Sequence, residues 1–212
     1  MARVGILGGT FNPPHVAHLV CAQEARDQLG LDRVLLMPAL VPPHKQVPAE
    51  PGAHARLSMC RLAAADDPGL AVSTLELERE GPSYSVDTLR VLHDQEPGDE
   101  LTFIVGGDMA ESLPSWREPR EVLRLARLAV TQRDELRAEQ LVQTLSPLHD
   151  GSRVTFFTMP RLDISSTELR RRIAEGRPIR HLVPGAVADE IAAHGWYRRA
   201  AGAIPTEQEH HA

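Results

Sequence analysis

Gly8-Gly9-Thr10-Phe11-Asn12-Pro13-Pro14-His15-Val16-Ala17-His18 follows directly on the apolar run Val4-Gly5-Ile6-Leu7 and leads into a helical pattern that begins near Val16. A strand ending in glycines lets its backbone approach a ligand closely. The helix behind it turns unpaired N–H groups and the positive end of its dipole toward that ligand. An anion, phosphate foremost, suits such a place. His15 and His18 are three residues apart, so both imidazoles share one side of a first helical turn and can donate to phosphate oxygens. The spacing matches neither the GxGxxG of dinucleotide-binding loops nor the GxxxxGK[ST] of a P-loop. A plainer reading is a loop with a glycine pair, a histidine cap and a half-buried ring. A zinc pair lacks the further His or Cys spacing that would complete its coordination shell.

Working outward, short runs rich in Val, Ile and Leu occupy residues 3–7, 33–37, 70–75, 101–105, 128–131 and 154–158. Helical patterns fall between and after them, at 16–29, 54–65, 85–95, 118–126, 135–145, 166–175 and 185–194. Alternation of this kind predicts an α/β domain, a Rossmann-like doubly wound parallel sheet with helices on both faces. Gly30, Gly176 and Gly195 stand just past expected helix ends, as C-terminal caps should. Such sheets bind ligands at the carboxyl ends of their strands. Gly8, Pro38, Gly106 and the segment after Thr158 all take that position.

With 212 residues, 42% of them hydrophobic, the chain is sized for one domain with a real core. That domain is expected over residues 1–198, with a disordered tail over 199–212. A formal charge of −6 disfavours nucleic acid, which needs a basic face, while a small phosphorylated ligand needs only a local basic pocket. Cys21 and Cys60 make no disulfide framework and read as ordinary core in a reducing compartment. No stretch approaches the roughly 18 apolar residues of a spanning helix, and the N-terminus has no signal architecture, so a cytoplasmic protein with no membrane partner is expected. Oligomeric state, a homo-oligomer included, is left open.

Of the 23 basic side chains only Lys45 is lysine, in the loop Val41-Pro42-Pro43-His44-Lys45 behind an expected strand. It is either a phosphate contact or a solvated survivor. Gly106-Gly107-Asp108 places a carboxylate at the end of a buried strand, where an acid commonly holds ribose hydroxyls. Asp108 can equally cap a short helix. Trp116, in Pro114-Ser115-Trp116-Arg117, is either core or a platform for a flat ring. Ile164-Ser165-Ser166-Thr167-Glu168-Leu169-Arg170 reads as a capping box from Ser165 to Glu168 and also as a second phosphate patch at a helix start.

The stretch Gly9 to His18 resembles the G-T-F-[DN]-P-x-H-x-G-H signature of the nucleotidyltransferase superfamily and, within it, the bacterial nicotinate mononucleotide adenylyltransferases. Ala17 stands where that family usually has glycine. The PHK triplet at Lys45, the GxD at Asp108, Ser83-Tyr84-Ser85, the PSW at Trp116, the segment 164–170 and the ending from His181 to Tyr197 extend the match over about residues 1–198. The resemblance implies transfer of AMP from ATP to nicotinate mononucleotide, giving the deamido dinucleotide and pyrophosphate, with Mg²⁺ carried on the phosphates. It implies His15, His18, Thr10, Lys45 and Arg170 at the reacting phosphates. Gly8, Gly9, Phe11, Gly106, Asp108, Ile164, Ser165 and Ser166 join Thr10, His18 and Arg170 around ATP. His44, Lys45, Tyr84, Ser85, Trp116 and Arg117 surround the mononucleotide, with the indole stacked on its pyridine ring. A sister transferase acting on phosphopantetheine or a cytidylyl acceptor lacks an explanation for Ser83–Ser85 plus Trp116. A nucleotide-binding protein without turnover would need a damaged phosphate site.

Overall fold

All six expected strands form one parallel sheet in the order β3-β2-β1-β4-β5-β6. The strands are β1 Arg3–Gly9, β2 Arg33–Pro38, β3 Leu70–Val72, β4 Glu100–Gly106, β5 Ala126–Thr131 and β6 Val154–Phe157. The helices are α1 Val16–Gln28, α2 Ala53–Ala64, α3 Ser85–Gln95, α4 Gly107–Glu111, α5 Pro119–Leu125, α6 Glu135–Leu145, α7 Ser166–Ala174 and α8 Gly185–His194, with a 3-10 turn at Leu113–Ser115. The computed structural model describes residues 1–42, 51–131, 135–148 and 152–198. His44, Lys45 and the expected tail lie outside them. Among the described residues no helix is long and apolar enough to cross a membrane.

Strand side chains alternate between the two faces, which is why the apolar runs are nearly continuous. Val4 and Ile6 of β1 join Leu101, Phe103 and Val105 of β4 under α3, α5 and α6. Leu7 and Ile104 turn to the opposite face, against Ala22 and Ala25 of α1 and Cys60 of α2. A third cluster packs Met59 of α2 on Leu169 of α7 and Val187 and Ile191 of α8. Strand order reverses between β1 and β4, so the crevice expected of a doubly wound sheet opens beside Gly8 and Gly106. Gly30, Gly176 and Gly195 hold φ of 61, 70 and 66°, the left-handed values a helix terminus needs.

Four local expectations need correction. β3 stops at Val72 rather than residue 75, because Thr74 starts a turn whose carbonyl accepts from the N–H groups of Leu77 and Glu78. Ala126 opens β5 instead of ending the helix over 118–126, and Glu118 is that helix's left-handed cap at φ 50°. Asp108 is not the cap of α4; Gly106 is, and Asp108 sits in the first turn. Ser165 caps α7 as expected, its hydroxyl accepting from the Glu168 N–H at 3.2 Å, but the Glu168 carboxylate turns to Arg171 rather than back to the cap.

Candidate active site

The carboxyl edge of the sheet opens into a cavity of about 570 Å³. Each strand delivers part of its wall. Gly8, Gly9, Thr10 and then His15, Ala17 and His18 follow β1; Ala39 and Pro42 follow β2; Glu76, Ser83, Tyr84 and Ser85 follow β3. Gly106, Met109, Trp116 and Arg117 follow β4, Thr131 ends β5, and Met159, Leu162 and Ile164 follow β6. Expected site residues are thus gathered from four separate segments, those at the ends of β1, β3, β4 and β6. Asp108, exposed on α4, and Ser165, Ser166 and Arg170, at the cap and in the first turns of α7, are not among the residues lining the cavity.

The loop between β1 and α1 is held from three other elements. Arg56 of α2 donates to the Thr10 carbonyl at 2.7 Å. Arg170 of α7 donates to the Asn12 carbonyl at 2.8 Å, and the Ser166 hydroxyl donates to the Pro13 carbonyl at 2.8 Å. Beyond α8, the Tyr197 hydroxyl donates to the Asn12 side-chain oxygen. Ser166 and Arg170, expected as phosphate ligands, therefore each spend a hydrogen bond on bracing the loop.

Phe11, expected around ATP, has a buried side chain, 1% exposed at φ 49°. Its ring folds back against Gly9, where an added Cβ would lie 3.0 to 3.3 Å from ring atoms, and meets the His18 ring edge-on at 4.9 Å between centroids. A Cβ at position 9 would crowd the Phe11 ring, so Phe11 favours glycine there whatever the ligand. Side chains in that left-handed region are costly, and such strain collects at functional loops.

His15 is the N-cap of α1 and His18 its third residue. Their rings stack with centroids 3.6 Å apart. The His15 backbone N–H donates to His18 Nδ1 at 3.1 Å. An accepting Nδ1 leaves the ring proton on Nε2, so the cap also fixes which nitrogen of His18 donates. Burial and then the neighbouring His15 hold the His18 pKa well below its ordinary value; burial alone brings His15 to about 4. Both rings are neutral at pH 7. The cap reading and the ligand reading of this pair do not exclude each other, since one His18 nitrogen is engaged at the helix start and the ring also lines the cavity. His15 Nδ1 is buried with no hydrogen-bond partner among the described residues. Such an orphan in a cavity wall suits a ligand.

Trp116 is likewise both core and wall. It is 8% exposed, meets Phe103 edge-on at 5.9 Å, and donates from Nε1 to the Ser112 hydroxyl at 2.9 Å. The Arg117 guanidinium lies 4.9 Å from the centre of the Tyr84 ring and 3.3 Å from Asp87. Tyr84 caps α3, and Ser85 is its first residue, placing that helix start in the cavity.

Sequence reasoning missed Glu76. It is 7% exposed and accepts from the Thr88 hydroxyl at 2.7 Å; burial pushes its carboxyl up, against the pull of the Thr88 and Ser83 hydrogen bonds and of Arg79. The Ser83 hydroxyl also accepts from the Leu40 N–H at 3.0 Å, tying the segment after β3 to that after β2. Cys21, read as core, lines the cavity one turn beyond His18; burial raises its thiol to about 11. No motif announces either residue: Glu76 gains its partners from the start of the next helix, and Cys21 gains its place from sharing α1 with His18.

The sequence model of the family described as cytidylyltransferase-like matches residues 6–172. A protein of Roseiflexus sp. strain RS-1 named "Probable nicotinate-nucleotide adenylyltransferase" is 46% identical over 199 residues, covering 93% of this chain and 98% of its own. One of the same name from Thermus thermophilus is 44% identical over 196 residues, covering 92% of this chain and 100% of its own. Among solved structures, the Plasmodium falciparum nicotinic acid mononucleotide adenylyltransferase complexed with NaAD aligns at a TM-score of 0.74 over 93% of this chain and 98% of that one. At 16% identity, that likeness is one of fold.

Proposed function

The chain belongs to the cytidylyltransferase-like family and, within it, to the nicotinate-nucleotide adenylyltransferases, and on that premise we propose that it transfers the AMP moiety of ATP to the 5′-phosphate of nicotinate mononucleotide. A phosphate oxygen of the mononucleotide attacks the α-phosphorus, the bond to the bridging oxygen of the β-phosphate breaks, and pyrophosphate leaves. The attacking phosphate is already anionic at neutral pH, so no protein nucleophile or base is needed. Catalysis then rests on positioning and on stabilising charge.

One observation carries the reading. A neutral, fixed imidazole pair at the start of α1 and an indole with a helix start beside it share one cavity at the reversal of strand order. Thr10, His15 and His18 contact the transferring phosphate, with Gly8 and Gly9 leaving room for it. Lys45, Ser166 and Arg170 hold the triphosphate end, and Ile164 and Ser165 border it. Asp108 beside Gly106 takes the ribose of ATP, and Phe11 shapes the loop from beneath. His44, Tyr84, Ser85, Trp116 and Arg117 receive the mononucleotide, the pyridine ring lying on the indole.

ATP enters as its magnesium complex, the ion belonging to the substrate. Among the described residues no group of three His, Cys, Asp or Glu side chains could hold a metal. Mg²⁺ commonly keeps waters and phosphate ligands, and these surroundings suit an ion that arrives on the polyphosphate. The substrates are small and diffusible, in keeping with work in the cytoplasm.

Release of pyrophosphate, measured with ATP and a panel of phosphorylated acceptors, tests the reading against phosphopantetheine and cytidylyl chemistry and against binding without turnover. Nicotinate mononucleotide is expected to exceed nicotinamide mononucleotide in kcat/KM by about tenfold or more, which needs only about 1.4 kcal/mol of differential binding. The N–H groups near Ser85 and Trp116 give more to a carboxylate than to an amide. Equal turnover of the two would remove the acid as the preferred acceptor.

A further inference from the structure

Arg56 is 3% exposed, in the second turn of α2. Its guanidinium reaches two backbone carbonyls, Thr10 at 2.7 Å and Leu40 at 3.4 Å. Thr10 belongs to the loop after β1 and Leu40 to the loop after β2; Thr10, Ala39 and Pro42 all line the cavity. No carboxylate among the described residues forms an ion pair with it, and burial lowers its pKa from the ordinary arginine value. A buried cation that meets only neutral acceptors is costly, and apolar replacements of buried charges often stabilise a fold. Core packing therefore does not account for this arginine.

The neighbouring chemistry does. Thr10 is the residue assigned above to the transferring phosphate, and Leu40 lies in the loop that follows β2. The Leu40 peptide is gripped on both sides, its N–H donating to the Ser83 hydroxyl and its carbonyl accepting from Arg56. Resting on the adenylyl-transfer reading above, we propose that Arg56 is a positioning residue for that reaction. One planar fork fixes the spacing of the loops after β1 and β2 around the polyphosphate, and its charge, paired with no carboxylate among the described residues, is matched when the anionic substrate binds. Arginine rather than lysine suits this place, because a planar fork can hold two carbonyls at once and a single ammonium does so poorly.

The test compares Arg56→Met and Arg56→Lys with the parent and with Met59→Ala, which removes a fully buried side chain from the same helix on the side facing α7 and α8. Steady-state kinetics per folded enzyme are combined with melting temperatures with and without magnesium pyrophosphate. Arg56→Met is expected to lower kcat/KM for ATP by about tenfold or more, the scale of one lost charged hydrogen bond, and to leave KM for the mononucleotide within about threefold. Its melting temperature without ligand stays near the parent's, while the rise caused by pyrophosphate shrinks. Arg56→Lys restores that rise but not kcat. Met59→Ala lowers the melting temperature and keeps the kinetics and the pyrophosphate effect. If Arg56→Met matches Met59→Ala in both readouts, Arg56 is structural and the proposal fails. Should the methionine variant not fold, a lysine variant with the parent's kcat overturns the two-carbonyl clamp by itself. A parent without turnover would defeat the adenylyl-transfer reading instead, and the pyrophosphate effect would still decide whether Arg56 serves an anion site.

Discussion

His18→Ala is expected to lower kcat by roughly two orders of magnitude or more, the scale of losing one preorganised donor to a developing charge. The donor is Nε2–H, and its identity follows from the cap: Nδ1 is engaged by the His15 N–H at 3.1 Å. Because burial and His15 keep the ring neutral, the enzyme does not depend on protonating it near pH 7. The interaction strengthens as charge builds on the transferring phosphate, so kcat and kcat/KM should fall together, with ATP affinity changing much less. Alanine also deletes the return hydrogen bond to the His15 N–H at the helix start, at a cost of about 1 kcal/mol of stability. His18→Asn separates the two losses, since its side-chain oxygen can still accept from the His15 N–H but places no donor where Nε2 was. Stability should return and kcat should not. A kcat for His18→Ala within threefold of the parent would reduce His18 to its capping role.

The strand runs and helix starts were legible because they are local: apolar alternation, glycines past helix ends and serine at a helix start each act within a few residues. Where the expectations slipped, one local turn and one strand pairing decided. Thr74 turned the chain and ended β3 early, and pairing with β4 drew Ala126 into a strand. The candidate site was legible as a set of motifs but not as a mechanism of support. Phe11 stands inside the motif yet serves as its floor, a role visible only once its ring is seen against Gly9 and His18. Arg56, Arg170 and Tyr197 grip the same short stretch from positions 46, 158 and 185 residues away. No sequence window spans such separations. Glu76 escaped for a different reason: its partners Ser83 and Thr88 follow within 12 residues, but only the turn after β3 brings them around it.

Trp116→Ala should show two losses at once, because the indole is both packed and facing the cavity. Truncating a residue 8% exposed, with Phe103 against its edge, should cost about 3–5 kcal/mol of stability. For a domain of this size each kcal/mol is worth roughly 2–4 °C, so the melting temperature should fall by about 6–20 °C. In the fraction that remains folded, KM for the mononucleotide should rise by the loss of a ring stack, on the order of 1–3 kcal/mol or about 5- to 150-fold, if it resembles base–aromatic stacking. KM for ATP should hardly move, since the ring assigned to the indole is the pyridine of the mononucleotide. Trp116→Phe distinguishes stack from packing: it keeps an aromatic face for the pyridine ring while giving up the Nε1 hydrogen bond to Ser112. Its mononucleotide KM should lie much closer to the parent's than the alanine variant's does. Kinetics must be normalised to folded protein, and the decisive pattern is the split between the two substrates. A large fall in melting temperature with both KM values unchanged in the folded fraction would leave Trp116 as core alone and remove the pyridine from its face.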